Sequence, residues 1–169
     1  LDVVRPDTEE TLPVVVYLHG GGFFAGASHT AVLRGFSFAK RVNAVYVAVN
    51  FRLGVFGYLD MSSLGVEGAE DYEPNPALRD QMLALRWVKK NIAAFGGDPD
   101  RVTLMGESAG GSAIAALMAT PSANGLFHRA ILQSAPVLTV HGREQSRIWS
   151  KKLVQYAGLT PRTVKVRDL

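Results

Sequence analysis

Ser108 lies at the centre of Gly106-Glu107-Ser108-Ala109-Gly110, and this G-x-S-x-G spacing suits a nucleophilic hydroxyl. A strand that turns abruptly into a helix leaves the corner residue in a strained backbone conformation. Side chains two positions to either side would strike the neighbouring strand or helix, which is why glycine is needed there. The helix that follows points its free N–H groups, with their partial positive charge, at the reacting centre. Ala109 supplies one of those N–H groups to the oxygen that turns negative when a carbonyl is attacked. Glu107 is too close along the chain to sit behind a catalytic base. Its expected role is to tune the site electrostatically.

A second cluster, Gly20-Gly21-Gly22, follows His19 at the end of another strand-like run. Consecutive glycines let the chain pass close to a substrate and turn its amides inward. A serine nucleophile beside such a loop points to acyl transfer. A phosphate loop is the competing reading, and it fails on spacing. Ala25 holds the place of the remaining Rossmann glycine, with Gly26 one residue late. The next strand ends in Asn50-Phe51-Arg52, without an acid for a ribose, and no Gly-Lys-Ser/Thr occurs.

Four β-branched runs must position these groups: 13–19, 44–50, 102–105 and 130–133. They are mostly continuous rather than alternating, the pattern of strands covered on both faces. Between them lie helical patterns. Leu78, Met82, Leu85, Val88, Ile92 and Phe95 form one apolar stripe. Asn75 is expected to cap this helix, Pro76 to occupy its first turn, and Gly96-Gly97 to stop it. Further helices are expected over 109–119, 31–42 and 145–156, while 54–74 reads as loop. Strands alternating with helices give an α/β fold, with a mainly parallel central sheet and helices on both faces.

The 169 residues are 47% hydrophobic and 20% charged, a globular balance. The formal charge of +3 is too small to imply a polyanionic partner. The acidic stretch Glu67, Glu70, Asp71, Glu73 and the basic tail (Arg143, Arg147, Lys151, Lys152, Arg162, Lys165 and Arg167) read as solvated faces. No nucleic-acid motif accompanies them. The chain has no cysteine, so disulfides and zinc–thiolate sites are excluded. That permits a reducing compartment and tips the expected location toward the cytoplasm. No ligand cluster implies a metal or cofactor.

Several ordered blocks resemble the type-B carboxylesterases, the cholinesterase-like branch of the α/β-hydrolases. They are 13–23, Asn50-Phe51-Arg52-Leu53-Gly54, Leu78-Arg79-Asp80-Gln81, 87–99 and 125–134. The departures are Phe51 for Tyr, Val55 for Pro, Pro76-Ala77 for Gly, and Ala135 for Gly. None touches the elbow or the glycine loop. The resemblance implies an oxyanion hole at Gly21, Gly22 and Ala109, and a structural ion pair between Arg52 and Asp80. It implies a serine carboxylesterase acting on a small-molecule carboxylic ester, without metal, cofactor or nucleic acid. A catalytically silent fragment, a non-catalytic adhesion-type relative, and a lipase, amidase or acyltransferase using the same site remain open.

In this fold the partners of the serine follow it in the order acid, then histidine. That order excludes His19 and His29. His128 falls within a resembling block where the histidine has no catalytic role, and His141 reads as solvated. By resemblance the acid and histidine lie beyond residue 169. Residues 1–169 are therefore expected to be part of a single α/β-hydrolase catalytic domain, with the remainder of the same polypeptide as partner.

Overall fold

A computed structural model describes residues 1–65 and 69–158; Glu67, Arg162, Lys165 and Arg167 lie outside them. Among the described residues five strands, β1 (Asp2–Val4), β2 (Leu12–Leu18), β3 (Val45–Val49), β4 (Gly97–Glu107) and β5 (Arg129–Gln133), form one sheet in the order β1-β3-β2-β4-β5. All pairs are parallel except β1 with β3. The four expected strands are present. β1 adds a fifth, whose three residues are too few to carry a period. β4 is longer than its apolar run. The ladder jumps from Leu12↔Gly97 to Val14↔Val102, and Asp98–Arg101 bulges out there with an Arg101–Asp98 ion pair at 2.7 Å.

Helices cover both faces, but unequally. α3 (Pro76–Asn91) and α4 (Ala109–Met118) pack Met82, Leu85, Val88, Ile114 and Leu117 against Val14, Val16, Val47 and Leu104, and this is the main core. On the opposite face α1 (Phe36–Val42) brings Ala39 and Phe38 onto Tyr46 and Ala48. Hence β3 is buried throughout, β2 alternates between buried and half-buried, and β5 is largely exposed. Among the described residues β5 pairs on one side only.

Four local expectations need correction. Asn75 stands at the start of α3 in the left-handed region (φ +56°) and makes no side-chain cap; only its carbonyl accepts the Arg79 N–H, at 3.2 Å. The 31–42 helix is split, with a single 3₁₀ turn over Ala31–Leu33, because Gly35 turns left-handed against the Tyr46 ring. The stripe of α3 ends at Ile92: the chain tightens into a 3₁₀ turn over Ile92–Phe95, and Phe95 is 41% exposed beside Trp87. The segment read as loop holds a short helix, α2 (Gly54–Tyr58), and 3₁₀ turns. α5 (Arg143–Tyr156) buries Ser150 and Val154 against the turn at Met61–Leu64.

Candidate active site

Parallel pairing places three loops side by side. Val49 is opposite Leu18, and Leu18 is opposite Gly106. The residues after β3 (50–54), β2 (19–22) and β4 (108–109) therefore leave the sheet at one edge, outside the carboxyl ends of the strands, where open α/β sheets bind ligands.

Ser108 forms the corner between β4 and α4, at φ +53° and ψ −119°. A non-glycine residue held there costs roughly 1–3 kcal/mol. Neighbours hold it in place: its N–H donates to the Gln133 carbonyl at 2.8 Å, and its carbonyl accepts the Ser112 N–H at 3.0 Å. A Cβ on Gly110 would run into the Leu18 carbonyl oxygen, and one on Gly106 would lie 2.8 Å from the Gly110 carbonyl carbon. The two glycines let β4, α4 and the end of β2 meet. Ser108 is half-buried, Ala109 buried and Glu107 exposed.

The glycine loop runs alongside this corner. A Cβ on Gly20 would fall 3.2 Å from the Ser108 Cβ and 2.5 Å from Glu107 Oε2. Gly21 (φ +112°), Gly22 (φ +62°) and Phe23 (φ +71°) turn the chain sharply, and the Phe24 and Ala25 N–H groups both donate to the Gly21 carbonyl, at 3.2 and 3.0 Å. Among the described residues the N–H groups of Gly21, Gly22 and Ala109 donate to no backbone carbonyl. For Ala109 this follows from its place in the first turn of α4.

No described histidine is arranged as a base for Ser108. His19 is buried; its Nδ1–H donates to the Gly20 carbonyl at 2.8 Å, and its ring stacks on Phe51 at 4.5 Å. His128 Nδ1 accepts the Val102 N–H at 3.2 Å. That is the opposite end of the β4 ladder, about 20 Å from the corner at the usual rise per residue. His29 and His141 are exposed.

Arg52 and Asp80 form a two-pronged pair, Nε to Oδ2 and Nη2 to Oδ1, both at 2.8 Å, with the Arg52 backbone N–H also on Oδ2 at 3.0 Å. Burial pushes the Asp80 carboxyl up, but the Arg52 hydrogen bonds and charge together outweigh it and hold the group below the usual carboxylate range. Burial, then the Glu107 charge, pushes the Tyr17 phenol up, so the field of Glu107 reaches across to β2. A cavity of about 580 Å³ lies between Arg52, Phe56, Arg79 and Leu153. Neither Ser108 nor the glycine loop lines it, so it is separate from this site. Among the described residues no group of three or more His, Asp or Glu side chains could hold a metal ion, and no helix is long and apolar enough to cross a membrane.

A family model described as the carboxylesterase family matches residues 1–167. The chain belongs to the carboxylesterase family. It is 43% identical over 176 aligned positions to the para-nitrobenzyl esterase of Bacillus subtilis (strain 168), covering 100% of this chain and 35% of that protein. It is 37% identical to human bile salt-activated lipase, covering 91% of this chain and 21% of that one. Among solved structures, a thermophilic PNB esterase superposes with a TM-score of 0.87 at 42% identity, over 98% of this chain and 35% of that one. A Geobacillus stearothermophilus carboxylesterase gives 0.85 at 38% identity, over 95% and 35%. The fold is thus that of the α/β-hydrolases, and the chain spans about a third of the length of the first of these relatives.

Sequence reasoning singles out Ser108, its flanking residues and the glycine loop. It misses Phe51, which stacks on His19 at the entry to that loop, and the Asn50–Ser28 pair beyond its far end. The available signal is the position of Asn50-Phe51-Arg52-Leu53-Gly54 directly after a strand that neighbours β2.

Proposed function

We propose that the protein hydrolyses carboxylic esters through an acyl-enzyme on Ser108. The observation that carries this reading is the Ser108 corner, held at positive φ beside a glycine loop with unpaired amides nearby. In the proposed reaction Ser108 Oγ attacks the ester carbonyl carbon and its proton passes to a general base. The carbonyl π electrons move onto oxygen, and the Gly21, Gly22 and Ala109 N–H groups receive that oxyanion. Collapse of the intermediate breaks the bond to the alkoxy oxygen, which leaves as the alcohol after taking the proton. Water, deprotonated by the same base, attacks the acyl-enzyme and releases the acid. Each oxyanion donor is expected to contribute ~2.7–4 kcal/mol to the transition state. Glu107 adds a negative charge beside the corner that favours a cationic base.

The proposed substrate is a small to medium uncharged ester, in keeping with relatives named para-nitrobenzyl esterase and phenmedipham hydrolase. The test is fluorophosphonate labelling of the intact protein, with turnover of p-nitrophenyl esters of graded chain length and of an anilide. Labelling at Ser108, with both labelling and turnover lost in Ser108→Ala, is the expected result. Turnover that survives Ser108→Ala would overturn the mechanism. Anilides cleaved faster than esters would move the reading to an amidase.

A further inference from the structure

The glycine loop needs support beyond the bonds from the Phe24 and Ala25 N–H groups to its own Gly21 carbonyl. Gly21, Gly22, Phe24, Ala25 and Gly26 are all exposed or half-buried, Phe24 being exposed by 76%. Yet donors for an oxyanion must be held to within about half an ångström. The contacts that fix the loop converge on one other segment. At its entry the His19 ring stacks on Phe51, with an interplanar angle of 12°, and the same ring grips the Gly20 carbonyl through Nδ1. That carbonyl belongs to the peptide unit whose N–H is on Gly21. In the middle the Gly54 N–H donates to the Phe23 carbonyl at 2.7 Å, and the Phe23 ring meets the edge of Tyr58 at 5.0 Å. At its exit Asn50 makes a double contact with buried Ser28: the Ser28 N–H donates to Oδ1 at 2.8 Å, and Nδ2 donates to Ser28 Oγ at 2.7 Å. The Ser28 hydroxyl then donates to Asp2 on β1.

We propose that residues 50–58 are the positioning frame of the oxyanion loop, with Asn50 and Phe51 as positioning residues for the reaction. The frame is itself fixed. Its first residue follows β3 directly, and the Arg52–Asp80 pair clamps it to α3. The orientation of the Gly21 and Gly22 amides is therefore inherited from the sheet and from α3. His19 fits this role better than proton transfer. With Nδ1–H committed to the Gly20 carbonyl, its Nε2 is buried without a hydrogen-bond partner, so the ring acts as a wedge between frame and loop.

The inference rests on the ester-hydrolase reading, and its test separates the two. Amide exchange and steady-state kinetics are measured on the intact protein for Phe51→Leu, Asn50→Ala and Phe51→Tyr. Phe51→Leu should speed exchange at Ala25 and Gly54 while the β2 and β3 amides stay protected. Asn50→Ala should do the same. Both should lower kcat about 10- to 100-fold, the scale of a misplaced transition-state contact, with KM within about twofold of the parent. Phe51→Tyr keeps the stack and should restore both readouts. The proposal is overturned if loop exchange and kcat are unchanged in both variants, or if kcat falls only together with sheet protection. A parent protein that hydrolyses no ester, while Phe51→Leu still loosens Ala25 and Gly54, would sink the reaction and leave the frame standing.

Discussion

Ser108 carries a backbone conformation that glycine tolerates far better than serine. The cost of roughly 1–3 kcal/mol is stored in the folded state alone. Ser108→Gly should therefore raise the thermal midpoint while abolishing esterase turnover, a trade expected of strained sites. Calorimetry beside an ester assay checks both halves; a lower midpoint would show that the neighbours impose no strain. Gly110 offers the reverse experiment. Alanine favours a helix by up to ~1 kcal/mol over glycine, but the new Cβ would meet the Leu18 carbonyl oxygen, and backbone gives way poorly. Gly110→Ala should destabilise by about 1–3 kcal/mol, as overpacking does, and denaturant midpoints will show it. These steric demands make the corner legible in the sequence, since a serine flanked by glycine on both sides after an apolar run suits a tight strand-to-helix turn. The supports contributed by Asn50, Phe51 and Ser28 carry no such signature, because amide pairs and stacked rings form between residues far apart in the chain.

At the level of elements, α3 anchors the segment after β3 through Arg52 and Asp80. The Asp80 carboxyl is held below its ordinary value of 3.8. A lowered carboxylate contributes stability that is fully present above that ordinary value. The contribution fades as pH falls through the lower folded value, where both states become protonated. Arg52 is 54% exposed on its side chain, so the effect on global stability should be no more than about 1 kcal/mol. Asp80→Asn should flatten the acid limb of the stability curve below pH 3.8, measured by urea unfolding at several pH values. An unchanged limb would mean that the pair is already loose in solution. The apolar spacing that reveals α3 also marks where sequence falls short. Period identifies a face and Gly96 (φ +71°) supplies the expected stop, but the 3₁₀ turn over Ile92–Phe95 that ends the stripe early is a tertiary choice. The start of α3 departs from expectation for a related reason. The left-handed backbone of Asn75 delivers its carbonyl, rather than its side chain, to the first turn.

At the scale of the whole molecule, the order of strand and helix patterns is enough to give a mainly parallel sheet, and hence one edge where all three loops meet. Which faces are covered is less legible. Continuous apolar runs suggest cover on both faces of every strand, whereas among the described strands only β3 is buried along its full length. The exposed strand β5 has a consequence for handling the protein. Among the described residues its outer side has no strand partner. Beside that border lie Ile131 (44% exposed) and Leu132 (37% exposed), with Leu138 nearly fully exposed just beyond. Such a border templates growth by another chain, so residues 1–169 in isolation should self-associate as concentration rises. Sedimentation velocity over a dilution series will detect this, and Ile131→Lys should suppress it. A monomer at every concentration would mean that the border is capped. Storage buffers and expression temperature are thus governed less by the Ser108 corner than by the last rung of the ladder.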